Sequence, residues 1–346
     1  MAKISYKDSG VNIDAGNEFV EIIKPIVKST YTKGFTSQIG SFSGLFPFPK
    51  GYMNPYLVSA ADGVGTKIKI AFMAGRFDTI GIDLVAMNVN DLITCGAKPL
   101  FFLDYIATSS INPKQTSSIV KGIAQGCRQS GCVLLGGETA EMPDIYRKDE
   151  FDIAGFVVGV VDKKNIIDGK NVKNGDVLIG LASSGLHSNG YSLARNLLLK
   201  KLKYKLYDKP RPLRKSLGSE LLTPTKIYVN TIESLNKKFN LKAIAHITGG
   251  GLVDNIPRVI PDKLKVQIDT KSWTRPPIIK LIQNSDMVEP SELLRTFNCG
   301  IGMVIVVDSV ESSKILAQLK KLNEKAFIIG QVAKRNKNES TVEFVN

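Results

Sequence analysis

Tyr56-Leu57-Val58-Ser59-Ala60-Ala61-Asp62-Gly63-Val64-Gly65-Thr66-Lys67 is a short strand-forming run that ends on an acid among glycines. The run is too short for a helix and is punctuated by Asp-Gly, so it reads as a strand feeding a tight connection. A carboxylate at a strand end can hold Mg²⁺, glycines let backbone approach phosphate, and a lysine can neutralise it. The same six residues from Asp62 to Lys67 read equally well as a hairpin turn. They do not form a Walker A loop, which needs G-x-x-x-x-G-K-[ST].

Working outward, the strand is followed by a helical pattern over about residues 79–95, closed by Gly96. Inside it lie Asn88, Asn90 and Asp91, short polar residues that suit a helix interior poorly. Asn88 and Asp91 are three apart and share a face, which suits a common ligand. Strands are expected at Leu100–Ala107, Cys132–Leu135 and Ile153–Val161, with a helix opened by Asn112-Pro113. An earlier helix starts near Asp14, and Pro25 predicts a kink or an early stop there. Ile39–Phe46 reads as loop or edge strand.

The polar stretch from Asp162 to Asp176 is the expected boundary between two domains, 1–168 and 169–346. Past it come a strand at Val177–Ala182, a helix at Tyr191–Leu202 and a helix over 221–239. Strands at Ala243–Ile247, Ile301–Val307 and Ala326–Val332 follow, with a helix over 310–322. The fold class is therefore α/β in both halves, with mixed sheets. The length of 346 residues agrees with two domains.

Three more junctions share the character of the first. Gly136-Gly137-Glu138-Thr139-Ala140-Glu141 follows a buried strand and reads as a metal or phosphate site, or as a glycine turn before a solvated loop. Ser183-Ser184-Gly185-Leu186-His187-Ser188-Asn189-Gly190 precedes a helix, whose backbone amides can bind phosphate. His246-Ile247-Thr248-Gly249-Gly250-Gly251 ends a strand in the second half. His187 and His246 are the only histidines in the chain, and both stand at glycine-flanked strand ends. Either suits a hydrogen bond to substrate or acid/base work.

Composition excludes several classes. No run approaches the ~20 apolar residues of a membrane helix, and the first residues lack an apolar signal core, so a cytoplasmic location without membrane contact is expected. Cys95, Cys127, Cys132 and Cys299 form no C-x-x-C pair and read as free, buried thiols. The net charge of +14 could mean nucleic acid, but only ten of the 46 basic residues are arginine and the lysines are scattered. Solvated surface, with no nucleic-acid partner, is the reading adopted.

Taken in order, these junctions resemble one family, the phosphoribosylformylglycinamidine cyclo-ligases, also called aminoimidazole ribonucleotide synthetases. The resemblance runs from Ser5–Gly16 through Asp62–Lys67, Asp78–Met87, Pro99–Tyr105 and Gly136–Pro143. It continues through Ser183–Ser192, Leu222–Thr225, His246–Gly251 and Arg295–Gly300. It implies ATP-dependent closure of formylglycinamidine ribonucleotide to 5-aminoimidazole ribonucleotide through a phosphorylated amide, in purine synthesis. It implies the synthetase-superfamily architecture, with N-terminal sheets pairing in a homodimer and the active site in a cleft. It implies ATP and Mg²⁺, with K⁺ a candidate second cation. By motif match, Asp62, Asp91 and Glu141 are the metal candidates, and His187, Asp62, Lys67 and His246 the catalytic ones. Lys24, Gly63, Gly65, Thr66, Asn90, Gly137, Thr139, Gly185, Gly249 and Gly250 are candidate nucleotide or substrate contacts. The family flap carries more glycine than Ile39–Phe46, and Pro25 departs from a helix the family keeps regular.

Overall fold

The computed structural model describes residues 3–32, 35, 40–148 and 150–345. The chain divides into two compact units. One comprises 1–64, 68–92 and 98–162, and the other 65–67, 93–97 and 163–346.

The first unit carries α1 (Ile13–Lys28), β1 (Pro55–Gly63), α2 (Ile68–Ala74), α3 (Ile80–Leu92), β2 (Lys98–Thr108), α4 (Pro113–Ser130), β3 (Val133–Glu141) and β4 (Phe151–Asp162). Its strands run in the order β1-β4-β2-β3. β4 is antiparallel to both neighbours and β2 is parallel to β3, so β1, β2 and β3 all end at one edge of the sheet. Asp62 and Glu141 both lie toward that edge, on opposite outer strands.

Helix starts follow the sequence signals. Asn12 and Asn112 cap α1 and α4 by accepting the N–H of Ala15 and Gln115, and Gly131 ends α4 in the left-handed region. Pro25 does not stop α1, which continues to Lys28. The Pro25 carbonyl still accepts from Ser29, so the helix loses only the bond that the proline N–H would have made. α3 is buried over nearly its whole length, and it touches α4 backbone to backbone. A Cβ on Gly81 would lie 2.2 Å from the Ile119 carbonyl oxygen, so only glycine allows that approach.

On β2, Phe102 and Ile106 are buried, while Tyr105 points to the opposite face. On that opposite face Leu57, Phe156 and Tyr105 remain 65%, 48% and 37% exposed. The expected loop or edge strand over Ile39–Phe46 is irregular from Gly40 onward, and Ile39 lies outside the described residues. Its Phe46 packs on Phe35 and Phe101.

The second unit carries β5 (Val177–Ala182), α5 (Tyr191–Arg195), α6 (Leu217–Leu221), α7 (Val229–Asn236), β6 (Ala243–His246), α8 (Gly251–Asn255) and β7 (Leu264–Asp269). After these come α9 (Pro277–Gln283), α10 (Pro290–Thr296), β8 (Ile301–Val307), α11 (Ser312–Lys321), β9 (Ala326–Lys334) and β10 (Val342–Val345). Its strand order is β10-β7-β9-β5-β8-β6, antiparallel except for the β10-β7 pair. β8 is buried at every residue, as expected of an apolar run in a sheet interior. The helix expected over 221–239 is shorter: residues 223–228 are neither helix nor strand, and α7 begins at Val229. Pro224 lacks an N–H and biases Thr223 away from helix. The carbonyls freed there are used by the site below.

Candidate active site

In the first unit, β1 delivers Asp62 to the sheet edge half-buried. Its Oδ1 accepts the N–H of Gly63 at 2.8 Å, which turns the carboxylate along the glycine run. Asn88 of α3 lies beside it. Its Nδ2 donates to the Leu84 carbonyl at 2.8 Å and to the Asp62 carbonyl at 3.3 Å. The Oδ1 of Asn88 is buried and accepts from no donor among the described residues. A buried acceptor left in this way is costly unless something binds it. Asp91, one turn further along α3, is exposed, whereas Asn90 is wholly buried. Of the polar residues expected on this helix, Asp91 reaches the surface and Asn90 does not.

The third junction differs from the loop expected there. Residues 136–141 continue β3, paired with Leu103–Thr108 of β2. Gly137 is exposed and Thr139 half-buried on this edge strand. Both Glu141 carboxylate oxygens take backbone N–H groups in this arrangement. Its Oε2 accepts the N–H of Asn12 and its Oε1 the N–H of Ile111, each at 2.7 Å. It thereby fixes the chain at the starts of α1 and α4. Three inter-strand steps of about 4.8 Å and four residues of strand separate it from Asp62, or roughly 19 Å. Lys24 pairs with Glu21 on the same helix.

Mg²⁺ usually takes one or two carboxylates and completes its shell with phosphate oxygens and water. Asp62 and Asp91 suit that demand, and the orphaned Asn88 oxygen adds an acceptor beside Asp62. Among the described residues, no three His, Cys, Asp or Glu side chains gather to hold a metal by themselves.

In the second unit, Gly65 and Thr66 are exposed, and Thr66 Oγ1 lies 3.1 Å from Ser192 Oγ. Lys67 departs from expectation. Its side chain is fully buried, and its ammonium donates to the carbonyls of Thr223 at 2.7 Å and His187 at 3.1 Å. It also lies 5.6 Å over the Tyr191 ring. It ties the loops carrying His187 and Thr223 together.

The loop 183–190 is stitched down on every side. Asn298 Nδ2 donates to the Gly185 carbonyl at 2.9 Å, and Asn298 Oδ1 accepts from Ser183 Oγ and from the Gly300 N–H. Ser184 Oγ donates to the Pro224 carbonyl, and Ser188 Oγ meets Thr225 Oγ1 at 2.9 Å. His187 adopts a left-handed backbone, with φ 61°, and is 1% exposed. Its Nε2 accepts the Ser184 N–H at 3.2 Å, so the neutral ring carries its proton on Nδ1. Nδ1 is buried and has no partner among the described residues.

Burial holds the His187 pKa well below 6.5, and nearby positive charge, that of Lys67 and Lys226 included, adds to the effect. A neutral ring with its one lone pair already engaged is poorly placed as a general base. In this arrangement the ring holds its own loop through Ser184. Gly302 of β8 makes room for it, since a Cβ there would lie 2.4 Å from His187 Cε1.

His246, 5% exposed, ends β6. Beyond it Gly249 is exposed and Gly250 turns through φ 96°. Asn255 Nδ2 holds this turn through the Gly249 and Gly251 carbonyls. Gly249 lies against Asn189, with a built Cβ 3.6 Å from Asn189 Oδ1, so the two glycine loops of this unit adjoin. The accessible groups here are Gly65, Thr66, Ser184, Asn189 and Gly249. Ser184, Asn189 and Asn298 were not singled out from sequence, and the S-S-G-L-H-S-N-G run was the signal that held two of them.

Profiles described as AIR synthase related protein, N-terminal domain and C-terminal domain, match residues 51–161 and 173–343. A phosphoribosylformylglycinamidine cyclo-ligase of Geotalea daltonii is 56% identical over 345 residues, 99% of each chain. The enzyme of that name from Geotalea uraniireducens is 54% identical over 345 residues, again 99% of each. Thiamine-monophosphate kinase from Stenotrophomonas maltophilia shares the fold, with a TM-score of 0.69 at 15% identity over 93% of this chain and 95% of its own.

Proposed function

Because the chain belongs to the phosphoribosylformylglycinamidine cyclo-ligase family, and so closes the ring of 5-aminoimidazole ribonucleotide with ATP in purine synthesis, we propose how its junctions divide that work. The single observation that carries the enzymatic reading is identity above half across the whole chain.

The chemistry sets the requirements. An amide oxygen is a poor nucleophile, and oxide is a poor leaving group. Transfer of the ATP γ-phosphoryl group to the formyl amide oxygen makes that oxygen leave as phosphate. The amidine nitrogen then bonds to the activated carbon, the C–O bond breaks, and a proton is lost from nitrogen as the imidazole forms. ADP and phosphate are released. The protein must hold two anionic reactants still and stabilise charge on the transferring group.

Asp62 is the residue we assign to the nucleotide phosphates, together with Asp91, which follows Asn88 by three residues on α3. Mg²⁺ held there would supply positive charge to the γ-phosphoryl oxygens. The glycines at 63 and 65 leave the backbone open for close approach, and Thr66 offers a hydroxyl. In the second unit, the loops at 183–190 and 246–251 present backbone and Ser184, Asn189 and Gly249 to an anionic substrate. Asn298, His187 and Lys67 keep those loops in place. Gly137, Thr139 and Lys24 remain candidate nucleotide contacts, and K⁺ a candidate second cation.

We further assign the exposed apolar face of the first unit's sheet, around Leu57, Tyr105 and Phe156, to a second copy of the chain. An apolar sheet face of this kind is a liability unless covered. The first domain, 1–168, is then the nucleotide-binding and dimerising one, and the enzyme works in the cytoplasm. The assignment of activity is tested with purified chain, ATP, Mg²⁺ and formylglycinamidine ribonucleotide. Equimolar ADP and 5-aminoimidazole ribonucleotide are expected. ADP release without the imidazole product would refute it.

A further inference from the structure

Between β7 and α9, residues 270–276 wrap a concavity of about 440 Å³. That volume lies in the range of small-molecule sites, about 300–1,000 Å³. Its lining is Thr270, Lys271, Trp273, Thr274, Arg275, Lys280 and Gln283. Three of the seven are cations and none is an acid. Lys271, Arg275 and Lys280 take part in no ion pair among the described residues. The nearest acid in sequence, Asp269, accepts the Lys271 N–H at 2.8 Å.

The walls are fixed from beneath. Trp273 is 5% exposed and its Nε1 donates to the Cys299 carbonyl at 2.9 Å. Gln283 Oε1 accepts from Arg275 Nη1 at 2.8 Å, which holds the guanidinium at the rim with its other N–H groups available. Unneutralised like charges around one hollow repel each other, and an anion relieves that repulsion. A guanidinium fork with flanking ammonium groups and threonine hydroxyls matches phosphate oxygens. None of these residues belongs to the junctions assigned above.

We propose that this hollow is a second anion site, which takes a phosphate-bearing small molecule apart from the cyclisation chemistry. Lys271, Arg275 and Lys280 supply the charge, and Thr270 and Thr274 the neutral donors. The concavity confines the ligand to small-molecule size, whereas a nucleic acid would need a basic stripe along a face.

Trp273 is the sole tryptophan of the chain, so its fluorescence reports on this hollow directly. The experiment titrates inorganic pyrophosphate, without Mg²⁺ and with a saturating non-hydrolysable ATP analogue. It uses the full chain and a Lys271→Gln/Arg275→Gln/Lys280→Gln variant. A saturable change in the wild type is expected, shifted at least about tenfold to higher concentration in the variant and weakened by added salt. Unaltered cyclisation by the variant, measured alongside, accompanies that result. The Lys280→Gln single variant, with an intermediate midpoint, guards against a folding defect in the triple one. Absence of a saturable change in the wild type, or the same midpoint in all three proteins, overturns the proposal.

Discussion

The Nε2 of His187 accepts the backbone N–H of Ser184 at 3.2 Å, so the ring is bound to its own loop three residues upstream. That bond fixes which nitrogen carries the proton and engages the one lone pair a base would use. His187→Ala should remove the acceptor and leave a cavity against Tyr228, which the ring faces at 6.3 Å between centroids. Denaturant unfolding should show a loss of about 2–4 kcal/mol. An unchanged midpoint with a large loss of turnover would return His187 to the chemistry.

The same residue gives a pH dependence. Its folded pKa lies below the unfolded value of 6.5, because burial disfavours the imidazolium. Above 6.5 both states are neutral and the group contributes no slope. As pH falls from 6.5 toward the lowered value, the unfolded chain takes up a proton that the folded chain refuses, and stability declines. Melting curves of the wild type and His187→Gln should diverge in that window, with the variant shallower. Parallel curves would show that the ring is solvated.

Asp104 has the opposite sign. Burial pushes its carboxyl up to about 7. A raised folded pKa means that stability declines as pH rises from the unfolded value toward 7. Asp104→Asn should therefore raise the melting temperature above neutral pH and change it little in acid. Equal effects at both ends would rule out this half-buried carboxyl as the cause.

Lys67→Met deletes the ammonium and strands the carbonyls of His187 and Thr223. A stability loss of about 2–4 kcal/mol is expected from losing charge-assisted bonds. Turnover should drop mainly through kcat, with KM for ATP nearly unchanged, since the ammonium's two bonds go to loop carbonyls. A rise confined to KM for ATP would mean that the lysine reaches the nucleotide.

Glu141→Gln keeps one acceptor oxygen and loses the other. About 1–2 kcal/mol of stability should go with it, while the Mg²⁺ concentration for half-maximal activity stays put. A shift in that concentration would restore Glu141 to the metal.

Much of the fold could be read directly from residue pattern. Asn112-Pro113 marked the start of α4, and the apolar run Ile301–Val307 marked the buried β8. β7 and β10 were missed because their runs, Leu264–Asp269 and Val342–Val345, carry Lys, Gln, Asp and Glu on a half-exposed side. The 221–239 pattern merged two helical segments across Pro224, where hydrophobic spacing outweighed the backbone signal.

The strand ends at Asp62 and His246 were legible in sequence, but the direction of each side chain was not. Spacing could not distinguish a lysine aimed at solvent from Lys67, which turns inward to two carbonyls. It could not foresee that Glu141 bonds to Asn12, since that contact spans 129 residues. Asn298 was visible only as part of a motif, because a clamp on a distant loop leaves no local pattern.

The central claim is that Asp62 serves the nucleotide phosphates, as its place at the end of β1 beside the orphaned Asn88 oxygen supports. Cyclisation by Asp62→Asn, measured against wild type over a Mg²⁺ titration with circular dichroism as the folding control, tests it most directly. The account predicts an unaltered spectrum and a loss of roughly a hundredfold or more in turnover. Turnover equal to wild type at every Mg²⁺ concentration would contradict it.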